Sequence, residues 1–127
     1  MNKYSVNPTF NYDDDDMVGI ISAAVYDINY WAVIDNDNDE WDKVSDSLDE
    51  EHTFEDVFYQ LLKCGKEVSL IDTEDADEVW QMTLDKLLNG VKLTIENHYW
   101  DGDMDTIDGE VGDIIFQYAL FNEIVYG

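Results

Sequence analysis

Arginine is absent from this chain of 127 residues, and only six lysines stand against 31 aspartates and glutamates, for a formal net charge of −25. Arginine's planar fork suits bidentate phosphate contact, and phosphate neutralisation dominates nucleic-acid affinity. Direct binding to nucleic acid is therefore not expected, and an anionic membrane is excluded as a partner for the same reason. The single cysteine, Cys64, rules out an internal disulfide and a cysteine-rich zinc site. Its place at the end of an amphipathic segment predicts a buried thiol. Pro8 is the only proline, and there is no Gly/Ser-rich linker and no internal repeat. No apolar run approaches the ~20 residues of a membrane helix. The opening MNKYSVNPTFNYDDDD lacks the apolar stretch of a signal peptide, so a cytoplasmic protein is expected. The two histidines, His52 and His98, fall in no metalloprotease or triad-like pattern. A phosphate-cradling glycine loop is missing too. No enzyme is expected, and no cofactor.

What is present argues for a folded chain. Hydrophobic residues make up 45% and aromatics 13%, with four Trp, eight Tyr and five Phe, whereas disordered acidic chains are poor in aromatics. Small soluble domains work well with a net charge of magnitude roughly 2–8, and self-repulsion beyond that destabilises a compact state. A use for the charge is therefore expected. Adaptation to high salt gives a similar acidic bias, but the many aromatics and isoleucines argue against it.

Hydrophobic periodicity sets out the elements. Met17, Ile20, Ile21 and Ala24 recur at helical spacing behind Asp13–Asp16, whose carboxylates suit a helix start. INYWAVID is β-branched and aromatic and predicts a strand over 29–34. The acidic run Asp35–Glu51, with nine carboxylates in seventeen residues, is expected to be a loop or frayed turn. Thr53 caps a helix with Phe54, Val57, Phe58, Leu61 and Leu62 on one face, and Gly65 ends it. Strands are expected over 67–72 and 78–82 around an acidic turn. Thr83 caps a further helix, in which Gly90 costs ~1 kcal/mol relative to Ala and so points to a close packing contact. Val111, Ile114, Ile115, Tyr118 and Ala119 mark another helix, and a short strand is expected over 123–126. The expected fold is α+β: one compact domain over 1–127, with three or four amphipathic helices packed on a small antiparallel sheet. Residues 1–12 are read as a loosely ordered N-terminal segment.

The segments INYW, LDKLLNGVKLTIE and DIIFQYALFNEIVYG resemble those of a family of small acidic proteins carried on phages and integrated mobile elements of Gram-positive bacteria. The resemblance covers most of the chain apart from the acidic stretch after Ile34. It implies a bacterial host cytoplasm and a setting rich in anti-defence proteins, including anti-CRISPR and anti-restriction inhibitors. No catalytic residue is implied.

Two degenerate calcium-loop patterns occur. Asp35, Asp37 and Asp39 have the 1, 3, 5 spacing, with Asp46 at position 12. The glycine required at position 6 is Glu40, and position 12 is not glutamate. Asp101, Asp103 and Asp105 repeat the spacing without the rest. In so acidic a chain such patterns arise by chance, and no metal ligand is assigned.

The remaining reading is electrostatic. Rows of carboxylates on strands or helices are spaced on the scale of successive phosphates. The candidate partner-binding face comprises Asp35, Asp37, Asp39, Glu40, Trp41, Asp42, Asp46, Asp49, Glu50 and Glu51, the turn Glu74, Asp75 and Asp77, and the loop Asp101, Asp103 and Asp105. Trp41, surrounded by charge, is expected to be exposed as an aromatic anchor. Tyr99 and Trp100 open the last cluster, while Trp31 and Trp80 are expected in the core. The implied partner is a basic nucleic-acid-binding protein, such as a CRISPR effector or restriction enzyme, whose groove the acidic face would fill as a nucleic-acid mimic. A cover for a nuclease toxin and a calcium-dependent binding module are the alternatives.

Overall fold

Every α-helix in the described part of this protein begins at a side-chain cap. The computed structural model describes residues 3–6 and 10–127. Asp13 caps α1 (Asp14–Val25), Asn38 caps α2 (Asp39–Ser47), Thr53 caps α3 (Phe54–Lys63), Thr83 caps α4 (Leu84–Glu96) and Asp108 caps α5 (Gly109–Phe121). Each accepts a backbone N–H three residues on, an interaction worth about 1 kcal/mol over alanine. Asp16 and Asp56 return the bond to their own caps, closing capping boxes at α1 and α3.

The strands β1 (Lys3–Val6) and β2 (Phe10–Asp13) pair antiparallel. Part of the segment expected to be loosely ordered is thus a paired ribbon, and its residues 1, 2 and 7–9 lie outside the described residues. β3 (Ala32–Ile34), β4 (Val68–Asp72) and β5 (Val79–Met82) form a three-stranded antiparallel sheet in that order. Together with five helices among the described residues, this is an α+β fold.

Helix α5 is the centre of the packing. Phe116 and Ile115 are fully buried, as are Ile20 and Ile21 of α1, Phe58 of α3 and Leu87 of α4. Two glycines set the helix spacing. A Cβ on Gly90 of α4 would run into the Ile115 carbonyl and lie 2.8 Å from the Ala119 Cβ, and one on Gly112 of α5 would lie 2.6 Å from the Ala24 nitrogen of α1. The close contact expected at Gly90 is the α4–α5 crossing.

Four expectations need correcting. The acidic run is not loop throughout: Asp39–Ser47 is helical, because Asn38 caps it, Asp39, Glu40 and Asp42 suit the positive end of the helix dipole, and Trp41 fastens it to α3. The strand expected over 29–34 begins only at Ala32, after a 3₁₀ turn at Ile28–Tyr30. The Tyr30 hydroxyl and the Trp31 indole both donate to Asp113, at 2.6 and 2.8 Å. Successive strand residues point to opposite faces, so an extended chain could not send both side chains to one carboxylate. Residues 123–126 form no strand. Their backbone is served by Gln117, whose Oε1 accepts from the Val125 and Tyr126 N–H groups at 2.8 Å, while Tyr126 stacks on Trp31. Finally, Cys64 is exposed. It follows Leu62, the last buried residue of α3, and the chain turns outward at Gly65 with φ +82°.

Candidate anionic interaction surface

The D-x-D and D-x-E spacings of the acidic clusters have a local cause. In each, an aspartate carboxylate accepts the backbone N–H two residues ahead, the Asx-turn geometry. Asp35 accepts from Asp37, Asp49 from Glu51, Asp72 from Glu74, Asp75 from Asp77, Asp101 from Asp103, and Asp103 from Asp105, at 2.8–3.1 Å. Asp101 also accepts from the Thr106 hydroxyl at 2.8 Å. The Asp103 N–H, aided by Thr106, holds its carboxyl below the usual range. Among the described residues, no group of three acidic, histidine or cysteine side chains is placed to hold a metal ion. The spacing that resembles a calcium loop is also the spacing of these Asx turns.

The first cluster is carried largely by α2. At about 100° per residue, Asp39, Asp42 and Asp46 fall within an arc of about 60°, opposite Trp41. All three are exposed. Trp41 is not: it is 6% exposed and packs on Phe54 with ring centroids 4.7 Å apart. It therefore anchors the acidic helix to the body and is not an exposed aromatic anchor for a partner. Glu40 meets Lys66 at 3.8 Å across the exposed surface, and Glu50 and Glu51 lie exposed just beyond α2.

The third cluster joins a run that the candidate face omitted. The Tyr12 hydroxyl donates to the Gly102 carbonyl at 2.7 Å. Burial pushes this phenol's pKa well above its ordinary value, and the charges of Asp16, Asp101 and Asp103 add to that. The 101–105 loop and the start of α1 are thus neighbours. On the other side of α1, Asp14 and Asp15 share a pocket of about 280 Å³ with Asp49, His52, Asp56 and Lys63. The four consecutive aspartates were the signal for this bridge. Tyr59 donates to Asp14, and Lys63 pairs with it at 3.1 Å. The Tyr59 hydrogen bond, then Lys63, holds the Asp14 carboxyl below its usual range against some desolvation. Burial, then Asp14, drives the Tyr59 phenol up.

The second cluster stands apart. Asp35 donates its N–H to Ser69 at one end of β4, while Ala32 pairs with Asp72 at the other. The turn carrying Glu74, Asp75 and Asp77 follows Asp72. The start of the first cluster and this turn therefore flank the sheet, about 13–17 Å apart at the rise of an extended strand.

The aromatics also redistribute. Trp31 is buried as expected and Trp80 is half-buried against it. Trp100 is buried too, stacked on Tyr12, its indole donating to Asp103 and Thr106. Tyr99 is exposed. So are Tyr26 and Tyr30, which no sequence pattern marked because each lies beside apolar residues. No helix among the described residues is long and apolar enough to cross a membrane. No family model, no curated protein and no solved structure matches this chain.

Proposed function

We propose that this protein is a non-catalytic inhibitor that offers its carboxylates as a substitute nucleic-acid backbone and fills the basic channel of a host defence protein, of the CRISPR-effector or restriction-enzyme kind. The observation that carries this reading is rigid display of uncompensated charge. Asp39, Asp42 and Asp46 rise along one helix by about 4.5 and 6 Å, a scale comparable to the ~3.4 Å rise per nucleotide of a duplex strand. Beside α2, Asp35 and Asp49 are held by their own Asx bonds, so those two carboxylates have little side-chain freedom left to lose on binding. Among the described residues, lysines form only three ion pairs, Lys63–Asp14, Lys66–Glu40 and Lys92–Glu96. The field of the remaining carboxylates would steer a cationic partner and make association fast and salt-sensitive. The resemblance to phage and mobile-element proteins supports the same setting.

The test is capture from host lysate at low and moderate salt, with the recovered protein then assayed in purified form. The expected result is one nucleic-acid enzyme whose capture is abolished by its own DNA or guide RNA and whose activity this protein inhibits. The triple substitution Asp39→Asn, Asp42→Asn, Asp46→Asn should weaken that inhibition and flatten its salt dependence. Capture indifferent to nucleic-acid competition would overturn the reading.

A further inference from the structure

The acidic surface alone would attract any basic protein, so selectivity requires a second kind of contact. The three-stranded sheet has one. Its inner face packs on the core through Ala32, Val68, Leu70 and Met82, all buried. Its outer face bears a different set. Val33 pairs with Ile71, and Ile71 with Val79, and directly opposed residues point to the same side. These three side chains form one continuous β-branched row across all three strands. Val33 is 53% exposed, Val79 is 43% exposed and Ile71 is half-buried between them. At the open edge of β3 the row runs into a groove of about 290 Å³, which Val33 shares with Tyr26 and Phe54. Tyr26 is 69% exposed.

Charge brackets this row at both ends of the strands. At one end Asp35 lies beside Ser69, which hydrogen-bonds to Gln81 at 2.8 Å, with Asp37 beyond it, while Lys86 reaches the Gln81 carbonyl on the far strand. Beyond Thr73 lie Glu74, Asp75 and Asp77. An apolar centre within a charged rim is the anatomy of a protein-recognition surface. A second copy of this chain does not fit it, because a two-fold pairing of the face would press acidic rim against acidic rim.

We infer that the outer face of this sheet is a docking surface for an extended segment of a basic partner protein. The segment lies along the strands, with an apolar side chain on the Val33–Ile71–Val79 row and lysines or arginines reaching the acidic groups at either end. About four or five extended residues span the rims. The inference rests on the reading that the partner is basic, and adds where and by what contact it is selected.

Two synthetic peptides with identical lysine-rich ends test it, one with a Leu-Val-Leu centre and the other with Ser-Thr-Ser. Binding to the full chain is followed through the methyl resonances of Val33, Ile71 and Val79. The expected result is affinity about tenfold higher for the apolar-centred peptide, from partial burial of its side chains, with shifts at those methyls. The triple variant Val33→Thr, Ile71→Thr, Val79→Thr keeps the β-branched shapes and so the sheet, and should erase the difference. If both peptides bind equally without moving the sheet methyls, the docking face is overturned while the attraction for cations stands. If neither binds even at low salt, this inference and the reading beneath it both fall.

Discussion

Helices α5 and α2 both start at a polar cap and both carry carboxylates, yet they use them in opposite ways. α5 is buried along most of its length, and its one deeply buried carboxylate, Asp113, receives the Tyr30 hydroxyl, the Trp31 indole and the Gln117 amide. Through those three donors it ties the entry to β3 and the C-terminal segment to the helix at the centre of the core. α2 touches the body through Trp41, with half-buried Val44 and Leu48 beside it, and turns Asp39, Asp42 and Asp46 to solvent. The lesson is that Asp113 is an internal fastener with its donors present, whereas the α2 carboxylates face outward and, among the described residues, only Glu40 of them meets a lysine, Lys66. Substitutions should therefore separate folding from binding cleanly.

The sharpest break is Asp113→Ala. It removes the acceptor of the buried Trp31 indole and one acceptor of the buried Gln117 amide, which keeps the Tyr126 carbonyl, while the exposed Tyr30 hydroxyl turns to water. It should cost about 3 kcal/mol, read as a lower midpoint in urea unfolding. Next comes alkali. Burial raises Tyr12 and Tyr59 well above the ordinary phenol value and, with the Asp113 hydrogen bond, pushes Tyr30 up to about 12. The fold favours their protonated forms. The stability they contribute is fully present below the unfolded tyrosine pKa of about 10 and is lost as pH rises through the higher folded values. Stability should fall steadily above that pH, and Tyr59→Phe should blunt the fall. A flat stability profile across that range would contradict the network.

Trp41→Ala should cost about 3 kcal/mol, with hydrogen exchange accelerated chiefly in α2 and little in α5. Equal acceleration in both helices would mean that the acidic helix is part of the core unit and not an attachment. The smallest effect has the opposite sign. Asp46 lies at the negative end of the α2 dipole, where no basic residue stands. Asp46→Lys should stabilise the fold by about 0.5 kcal/mol while weakening capture of the basic partner. A loss of stability there would show that the outward charges do structural work after all.

Trp41 is buried although its sequence neighbours are charged, and the reason is general. On a helix adjacent residues are turned by about 100°, so neighbours along the chain say nothing about the face a side chain occupies. The periodic partners do: Trp41, Val44 and Leu48 share a side, and that pattern was visible within the acidic run. The 3₁₀ turn at Ile28–Tyr30 was not visible in the same way. It depends on Asp113, more than 80 residues away, and a β-branched, aromatic stretch carries no mark of so distant a partner. Cys64 is exposed because the buried face of α3 ends at Leu62.

What the amino-acid order determined by itself was short-range: the total charge, the five helix caps, the Asx turns written as D-x-D and D-x-E, and the alternation that gives β4 and β5 an inner and an outer side. Each depends on groups within a few residues of one another, where hydrogen-bond reach settles the outcome. Only the tertiary structure decided which carboxylates became neighbours, which tryptophans were covered, and that an apolar row lies between two acidic rims. Those follow from strand register and from helices closing to glycine contact, non-local events that no single stretch of the chain encodes.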